Sequence, residues 1–307
     1  VFGTRQATII ERSGGLPIRI EAPWGATIPI EALEQELARS APVKALVLVH
    51  AETSTGALQP LEDVGTLCRA HDALLIVDAV TSLGGIPVEV DTWGIDACYS
   101  GTQKCLSCPP GLAPLTVSPR GMGAIRQRRA PCHSWYLDLS LIADYWNDHS
   151  RAYHHTAPIS MLYGLREALR LVHEEGLPAR AARHQVNSDA LMSGLRTLGL
   201  SPLPPPGHRL PMLNCVTLPD GIDEAMMRTQ LLQQYGIEIG GGLGPLRGRV
   251  WRIGLMGESC RQAHVLTLLN ALEEIFAGQG RPAQPGRAVR AAAETYTHSL
   301  GSARRGA

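Results

Sequence analysis

Ala73-Leu-Leu-Ile-Val-Asp-Ala-Val80 is an apolar run that a single carboxylate interrupts. Its length and β-branched content are typical of a strand buried on both faces of a parallel sheet. Asp78 stands at the carboxyl end of this strand, where isolating an unpaired carboxylate from water costs several kcal/mol. We therefore expect Asp78 to have a cationic or protonated partner. Two structural alternatives are an ion pair with an arginine and a role as the cap of a helix that begins at Val80.

A lysine follows in Tyr99-Ser-Gly-Thr-Gln-Lys-Cys105, just beyond another predicted strand. The chain has 28 lysine and arginine residues, of which only Lys44 and Lys104 are lysines. A lysine amine forms a Schiff base with an aldehyde, whereas a guanidinium does not. Lys44, at the start of a strand, is interpreted as a surface residue, an alternative that also applies to Lys104. A carboxylate at a strand end and a lysine some two dozen residues later are the groups that a pyridoxal phosphate enzyme requires.

The composition of the chain limits its partners. The 307 residues have a formal net charge of zero, and no long block of one sign occurs, which argues against nucleic acid and acidic membrane surfaces. We expect a small-molecule ligand. Seven cysteines form an odd number without framework spacing, so we predict reduced thiols in a cytoplasmic protein. No second ligand pair supports a metal site at Cys105-x-x-Cys108, and no apolar run is long enough to cross a bilayer.

The first half of the chain predicts a mostly parallel sheet with crossover helices, an α/β fold. The predicted strands are Ala7 to Ile10, Ile18 to Ala22, Ala45 to His50, Leu74 to Asp78, Ala97 to Ser100 and Leu115 to Val117. Residues 30–40 and 61–71 have the apolar period of helices. In such sheets ligands bind outside the carboxyl ends of the strands, where the loops after His50, Asp78 and Ser100 should meet.

The second half predicts a smaller α+β domain. Residues 159–175 and 178–198 have the pattern of two long amphipathic helices. The later predicted elements are strand Met212 to Leu218, helix Asp223 to Tyr235, strand Ile237 to Ile239, strand Val250 to Leu255 and helix Cys260 to Ala277. We predict a large domain over residues 1–157, connecting helices and a small domain over 158–277, and a disordered tail over 278–307, which is rich in Gly, Pro, Arg and Ala.

Five segments together resemble a known family. They are His50-Ala-Glu-Thr-Ser-Thr-Gly-Ala-Leu-Gln-Pro60, Val77-Asp-Ala-Val-Thr-Ser-Leu-Gly-Gly85, Tyr99-Ser-Gly-Thr-Gln-Lys104, Tyr153-His-His-Thr156 and Gly240-Gly-Gly-Leu-Gly-Pro245 with Trp251-Arg-Ile-Gly254. In order and spacing they resemble the alanine-glyoxylate (serine-pyruvate) aminotransferases, class V enzymes of pyridoxal phosphate fold type I. The resemblance spans nearly all of residues 1–277.

The resemblance implies a role for each matching residue. Lys104 matches the Schiff-base lysine and proton shuttle, and Asp78 matches the residue that pairs with the pyridine nitrogen. Arg252 matches the arginine that binds the substrate carboxylate, a task suited to its bidentate fork. The remaining matches are Val80 under the ring, Phe2 where a stacking tryptophan is frequent, Thr53 near the phenolic oxygen, Gln103 at the phosphate, and Tyr153 and Thr156 as phosphate ligands from the second subunit of a homodimer.

Each of these implied roles has a structural alternative. Thr156 could cap the helix that follows it, with Tyr153 packing beside it. Arg252 could be a solvent-facing or ion-paired arginine on its strand. Phe2 could be terminal packing, and the glycines from Gly240 could simply form a turn.

The resemblance begins about one quarter of the way into a typical family member. The preceding part would carry the dimer arm, the first strand of the sheet and a Gly/Ser/His turn that holds the phosphate at a helix N-terminus. The sequence leaves two interpretations open: a fragment of a normal enzyme, or a genuinely short chain.

The resemblance implies a transaminase that moves an amino group from L-alanine or L-serine to glyoxylate. The non-enzyme alternative is a cofactor-poor, non-catalytic chain. A third hypothesis is a cysteine desulfurase, which would need a nucleophilic cysteine on a mobile loop, yet Cys215 falls in a predicted strand and Cys260 at the start of a helix.

Overall fold

The computed structural model describes residues 1–146, 153–279 and 284–303, with the side chains of 300–303 left aside. Its helices are α1 (Phe2–Arg12), α2 (Ile30–Arg39), α3 (Val64–Ala70), α4 (Pro119–Arg126), α5 (Leu139–Tyr145), α6 (Ile159–Glu175), α7 (Leu177–Thr197), α8 (Glu224–Tyr235), α9 (Gln262–Gly278) and α10 (Arg287–Ala303). Its strands are β1 (Ala45–Val49), β2 (Ala51–Glu52), β3 (Ala57–Leu58), β4 (Leu74–Asp78), β5 (Ala97–Tyr99), β6 (Leu115–Val117), β7 (Ser201–Pro202), β8 (Leu213–Thr217), β9 (Gly240–Gly241) and β10 (Val250–Gly254).

The larger sheet has the strand order β1-β4-β5-β6. β1, β4 and β5 run parallel, and β6 pairs antiparallel with β5. Val49 is in register with Asp78, and Asp78 with Tyr99, so the three parallel strands end at one edge of the sheet. The predicted α/β fold with a mostly parallel sheet is confirmed, and the loops after β1, β4 and β5 meet at that edge as expected.

The second sheet, β7-β8-β10-β9, is antiparallel throughout. Its core includes Trp251 on β10, which is completely buried and packs edge-on against Phe276 of α9. The long helix α7 contributes Leu191 and Leu195 to the same core. Residues 177–278 thus form the predicted α+β unit, whereas the domain boundaries at 157 and 277 stay predictions.

Two strands predicted near the amino terminus are wrong. Residues 7–10 lie within helix α1, because Gln6 and Ala7 turn toward the protein while Ile9 is exposed, a helical rather than an alternating pattern. Residues 18–22 have no regular structure between Pro17 and Pro23. The predicted strand 237–239 is also displaced, since pairing with β10 occurs at β9, where Gly241 lies opposite Trp251.

The predicted disordered tail is wrong for residues 287–303, which form α10. Ala288, Ala292 and Tyr296, spaced four apart, are buried on one face of this helix. Glu273 of α9 accepts hydrogen bonds from the backbone N–H groups of Gly286 and Ala288 and so satisfies the beginning of α10. Small residues permit this packing, but they give little apolar signal in the sequence. Residues 280–283 and 304–307 of that predicted tail lie outside the described residues.

Two further expectations concern cysteines and membranes. All seven cysteines are free in the structure, and six of them are buried. In the described part of the chain, no helix has both the length and the apolar character that a bilayer crossing requires.

Candidate active site

Asp78 ends β4 with its carboxylate almost fully buried, at 8% exposure. Its Oδ1 accepts a hydrogen bond from the Val80 N–H at 2.9 Å, and its Oδ2 accepts one from the Tyr99 hydroxyl at 2.9 Å. Burial raises the pKa of Asp78, and the two hydrogen bonds oppose that rise. No helix begins at Val80, and the described residues place no arginine in an ion pair with Asp78. Both structural alternatives for this carboxylate therefore fail.

Lys104 lies in a turn beside the Asp78 loop. The Ala79 N–H donates to the Tyr99 carbonyl at 2.8 Å, which joins the two loops where they leave the sheet. One residue after Lys104, the Cys105 thiol donates to the Thr81 carbonyl at 3.4 Å. Within the described residues, neither a hydrogen bond nor an ion pair engages the half-buried Lys104 amine. The structure thus joins the turn that carries Lys104 to the loop that follows Asp78.

A buried arginine fixes the Lys104 turn from behind. Arg180 of α7, at 1% exposure, donates to the Cys105 carbonyl at 2.8 Å and to the Gly84 carbonyl at 3.0 Å. Its guanidinium also pairs with Glu175 at 2.6 Å and Glu258 at 3.2 Å. Because these hydrogen bonds connect α7 with the loops after β4 and β5, the small domain supports the backbone next to Lys104.

The backbone around Gly257 approaches the same turn closely. A Cβ at Gly257 would lie 2.6 Å from the Cys105 carbonyl oxygen, and φ at this residue is +55°. Only glycine fits both conditions without strain. His184 of α7 accepts the Gly257 N–H at 3.0 Å, so this backbone group is satisfied although it is buried.

Arg252 extends from β10 toward the large domain. Its Nε donates to the Gly241 carbonyl at 2.8 Å, and its Nη1 donates to the Thr53 carbonyl at 3.3 Å. The structure therefore brings together Arg252 and Thr53, two predicted site residues 199 positions apart. The guanidinium contacts only carbonyl groups in the described residues, with no carboxylate partner. The alternative of an ion-paired Arg252 is thus wrong.

The beginning of α1 lies near the same loops. The Phe2 N–H donates to Glu52 Oε2 at 3.3 Å, and the Arg5 guanidinium lies 5.0 Å from the centre of the Phe2 ring. Phe2 and Val80 are half-buried. Gln103 is exposed, and its side chain folds over Gly101, where a Cβ would lie 2.6 Å from Gln103 Oε1.

Tyr153 and Thr156 bond to one another and, within the described residues, to none of the groups above. Their hydroxyls share a hydrogen bond at 2.8 Å, and both residues are exposed, Tyr153 at 73%. The intervening His154 stacks on Trp135 with ring centres 4.2 Å apart. Helix α6 begins at Ile159 without a side-chain cap, so the alternative of Thr156 as a helix cap is wrong. In the described residues, no hydrogen bond joins this segment to the turn of Lys104.

The available groups fit pyridoxal phosphate. The Asp78 carboxylate accepts hydrogen bonds only from neutral donors in the described residues, so its charge is left for a cation such as a protonated pyridine nitrogen. Lys104 offers a primary amine to an aldehyde. Arg252 offers a guanidinium to a carboxylate. Across the residues that the structure describes, no group of three His, Cys, Asp or Glu side chains could hold a metal ion.

Sequence reasoning missed three contributors: Tyr99, Gln6 and Arg180. Tyr99 reaches Asp78 only through the register of β4 with β5, which no local pattern reveals. Gln6 donates to the Tyr99 hydroxyl at 3.0 Å and lies just before residues 7–10, which were predicted to be a strand rather than part of a helix. Arg180 occurs among alanines on α7, where a charged residue is normally interpreted as solvent-exposed.

Comparison with known proteins gives a consistent result. The model of the aminotransferase class V family matches residues 10–251. The chain is 41% identical to the (S)-ureidoglycine-glyoxylate transaminase of Bacillus subtilis, over 97% of this chain and 76% of the relative. It is 40% identical to the alanine-glyoxylate aminotransferase of Callithrix jacchus, over 89% of this chain and 67% of the relative.

Solved structures agree with these relatives. The alanine-glyoxylate aminotransferase of a Nostoc species superimposes with a TM-score of 0.87 at 47% identity, covering 90% of this chain and 73% of that one. The ureidoglycine-glyoxylate aminotransferase of Bacillus subtilis superimposes with a TM-score of 0.93 at 43% identity, covering 97% of this chain and 76% of that one.

Proposed function

Because the chain belongs to the class V aminotransferase family, we propose that it transfers the amino group of L-alanine or L-serine to glyoxylate. The products are glycine and either pyruvate or hydroxypyruvate. The observation that supports the proposal is that the loops of Asp78 and Lys104 are hydrogen-bonded at one edge of the sheet, while Arg252 bonds to Thr53 in the loop after the neighbouring strand. The names of the relatives support glyoxylate as the acceptor.

Pyridoxal phosphate, when bound, supplies an aldehyde that combines with amines and a protonated ring that accepts electrons from the substrate. Asp78 holds the ring nitrogen in its protonated form, because a buried anion favours a neighbouring positive charge. Phe2 and Val80 would pack against the bound cofactor, Thr53 would offer its hydroxyl to the phenolic oxygen, and Gln103 would offer its side chain to the phosphate.

Lys104 has two tasks. Its amine would hold the cofactor through the aldehyde. When free, the amine would take the proton from the α-carbon of the donor and would later give a proton back. Arg252 binds the substrate carboxylate, so that the α-hydrogen is directed toward Lys104. Because the same lysine takes and returns the proton, the exchange is balanced without a further acid or base.

We also propose that two copies of the chain share their sites. Tyr153 and Thr156 would each bond the cofactor phosphate of the other copy, which explains why two polar side chains at high exposure bond only to one another in the described residues. Trp135, Tyr136 and Tyr163 are exposed in neighbouring segments, which gives the interface apolar area. Neither site would be complete until the two copies had assembled into the homodimer.

A second candidate donor is (S)-ureidoglycine. The Bacillus subtilis relative bears this name, and the solved structure of that type covers 97% of this chain at 43% identity. (S)-Ureidoglycine differs from L-alanine and L-serine in the group attached to the α-carbon. All three have the amino group and the carboxylate on which Lys104, Asp78 and Arg252 would act. Glyoxylate is the acceptor in either case.

The desulfurase hypothesis loses support from the cysteines. Cys215 and Cys260 are buried, and burial raises their pKa to about 12 and about 11, so neither is a ready thiolate on a loop. The NifS-like protein superimposes with a TM-score of 0.68 at 21% identity, a likeness that extends to the fold alone. The non-catalytic alternative remains for experiment.

The test measures glycine formed from glyoxylate with L-alanine, L-serine or (S)-ureidoglycine as donor, in protein saturated with pyridoxal phosphate. We expect turnover with at least one of the three. Borohydride reduction and peptide mass analysis should then place the cofactor on Lys104, with Lys44 as the internal control. A label on Lys44, or a saturated protein without turnover with any of these donors, would reject the proposed function.

A further inference from the structure

A chain of hydrogen bonds reaches Asp78 from the side of α1. Gln6 Nε2 donates to the Tyr99 hydroxyl oxygen at 3.0 Å, and the Tyr99 hydroxyl donates to Asp78 Oδ2 at 2.9 Å. Gln6 and Asp78 are buried, and Tyr99 is half-buried between them. The three residues come from three separate elements, α1, β5 and β4, so the chain exists only in the folded protein.

The direction of these hydrogen bonds is fixed by their chemistry. A phenol has a single proton to donate, and an ionised carboxylate can only accept. The Tyr99 proton must therefore point at Asp78, and the Gln6 atom that faces the hydroxyl must be the amide N–H₂ group. Gln6 thus occupies a lone pair of the hydroxyl and leaves its proton for the carboxylate.

Other charged or titratable groups face Asp78 without bonding its carboxylate. Arg5 on α1 favours the charged carboxylate, whereas Glu52 on β2 opposes it. Cys98 precedes Tyr99 on β5 and is buried. Among the described residues, the side-chain hydrogen bond to Asp78 comes from Tyr99, and the other donor is the backbone N–H of Val80.

We propose that Tyr99 is a positioning residue whose hydroxyl, oriented by Gln6, keeps the Asp78 carboxylate charged and in one orientation for a protonated ring nitrogen. The role that we assign to Tyr99 rests on the proposed function, whereas the hydrogen bond from Tyr99 to Asp78 is present in the protein without any cofactor. In a buried setting, a carboxylic acid beside a neutral ring nitrogen competes with the carboxylate beside a protonated one. A hydrogen bond donated to the carboxylate favours the charged pair.

Tyr99 suits this task because its own proton stays in place. Burial raises the pKa of Tyr99 to about 12, so the hydroxyl remains a donor throughout the pH range in which the enzyme would work. Without the Tyr99 hydroxyl, Asp78 Oδ2 has no hydrogen bond to offset the effect of burial on the pKa of the carboxyl group. The pKa of Asp78 should then rise, and the proton shared with a bound ring nitrogen should move toward the carboxylate.

The experiment compares Tyr99→Phe with Tyr235→Phe, in which another tyrosine loses a hydrogen bond to a carboxylate, here Glu274 Oε2 at 2.7 Å on the surface. The first readout is the pH titration of the Asp78 carboxyl carbon by ¹³C NMR in cofactor-free protein, assigned with Asp78→Asn. We expect Tyr99→Phe to raise the pKa by about one unit, in line with a hydrogen bond to a charged group. Tyr235→Phe should leave it unchanged.

The second readout is the ¹⁵N NMR titration of labelled pyridoxal phosphate bound to each protein. In Tyr99→Phe the ring nitrogen signal should shift toward that of the unprotonated nitrogen at neutral pH, because the proton is drawn to the more basic carboxylate, and turnover should fall roughly tenfold. Gln6→Leu frees the hydroxyl to rotate and should shift both titrations in the same direction by a smaller amount. This variant also keeps the test decisive if Tyr99→Phe does not fold.

The outcomes separate the two proposals. If the wild type does not bind the cofactor at Lys104, the proposed function fails, while the carboxyl titration still decides the role of Tyr99. If Asp78 titrates alike in the wild type, Tyr99→Phe and Gln6→Leu, the tyrosine only fills space and the inference is rejected.

Discussion

The turn that carries Lys104 and the segment that carries Tyr153 are held in opposite ways. Behind the turn, Arg180 donates to the Cys105 and Gly84 carbonyls, and the groups involved are buried. Tyr153 is 73% exposed, and in the described residues its hydroxyl bonds only to Thr156, three positions along the chain. One half of the candidate site is thus built within a single chain, and the other half is left open.

This difference separates folding from binding. Where site residues are supported by buried contacts, a substitution behind them should reduce the free energy of unfolding as well as activity. Where site residues are exposed and locally bonded, a substitution should change ligand affinity with little effect on folding. The comparison therefore predicts which variants lose stability and which lose only function.

The largest effect is expected at the amine itself. Lys104→Arg keeps the positive charge but cannot combine with an aldehyde, so turnover should fall at least about a hundredfold. The thermal midpoint should stay close to that of the wild type, because no hydrogen bond or ion pair of the described residues involves this amine. Glycine formation and differential scanning fluorimetry measure the two quantities.

Lys44→Arg is the matched control, since it changes the other lysine of the chain. It should retain wild-type turnover. Equal activity of the Lys104 and Lys44 variants would show that the turn is merely structural and would remove the basis of the comparison.

The next effect is expected behind the turn. Arg180→Met removes the donor to Glu258 Oε1 and the donors to two buried carbonyls, so the free energy of unfolding should fall by about 3 to 5 kcal/mol. Urea unfolding followed by circular dichroism gives this value. Arg170→Met removes an arginine that pairs with Glu167 and Glu174 on exposed α6, and its unfolding midpoint should stay near the wild-type value. Similar losses in both variants would contradict a special role for Arg180.

Lowering the pH should weaken the ion pairs of Glu175 with Arg180 and Arg183. The Arg183 guanidinium, followed by that of Arg180, lowers the pKa of Glu175 from 4.5 to about 2. A depressed pKa gives stability that is present above the unfolded value and is lost as pH falls toward the folded one. Glu175→Gln should therefore cost about 2 to 3 kcal/mol at neutral pH, and its difference from the wild type should shrink between pH 4.5 and pH 2.

Urea unfolding across that pH window tests the expectation, with Glu34→Gln on exposed α2 as the control. The control should differ little from the wild type at neutral pH. A Glu175→Gln deficit that is constant from neutral to acid pH would mean that shape rather than charge holds the cluster together.

The part of the site built on the sheet could be predicted from the sequence. The apolar run ending at Asp78 identifies a strand tip, and parallel strands place their carboxyl ends together, so the loop of Lys104 was expected beside it. Tyr99 could not be assigned to Asp78, because that contact depends on the register between β4 and β5. Arg180 reaches the turn across 75 positions, and no local pattern encodes such a contact.

Helices with few large apolar residues were the hardest elements to predict. α10 buries Ala288, Ala292 and Tyr296, so its packing depends on small residues that allow close approach. A Cβ at Gly194 of α7 would lie 2.9 Å from the Ala288 carbonyl oxygen, which shows how near the two helices come. Composition alone suggested disorder because alanine and arginine carry little hydrophobic signal.

The smallest expected effect concerns the open half of the site. Tyr153→Phe should leave the free energy of unfolding within about 0.5 kcal/mol of the wild type, since the hydroxyl is exposed. It should weaken binding of pyridoxal phosphate about tenfold, the effect of one hydrogen bond to a charged group. Tyr163→Phe, an exposed tyrosine on α6, is the control and should bind like the wild type.

Mixed dimers then show which chain Tyr153 serves. When Tyr153→Phe and Lys104→Arg chains are combined, a hydroxyl that crosses the interface gives one site with an intact Lys104 and an intact Tyr153. That site should bind pyridoxal phosphate with wild-type affinity and turn over, because the Lys104→Arg chain supplies the missing hydroxyl. If Tyr153 acts in its own chain, every site has one defect and the tenfold loss of affinity remains. A monomer that binds pyridoxal phosphate fully would likewise refute the shared site, since exposure of Tyr153 would then have no connection with a second copy.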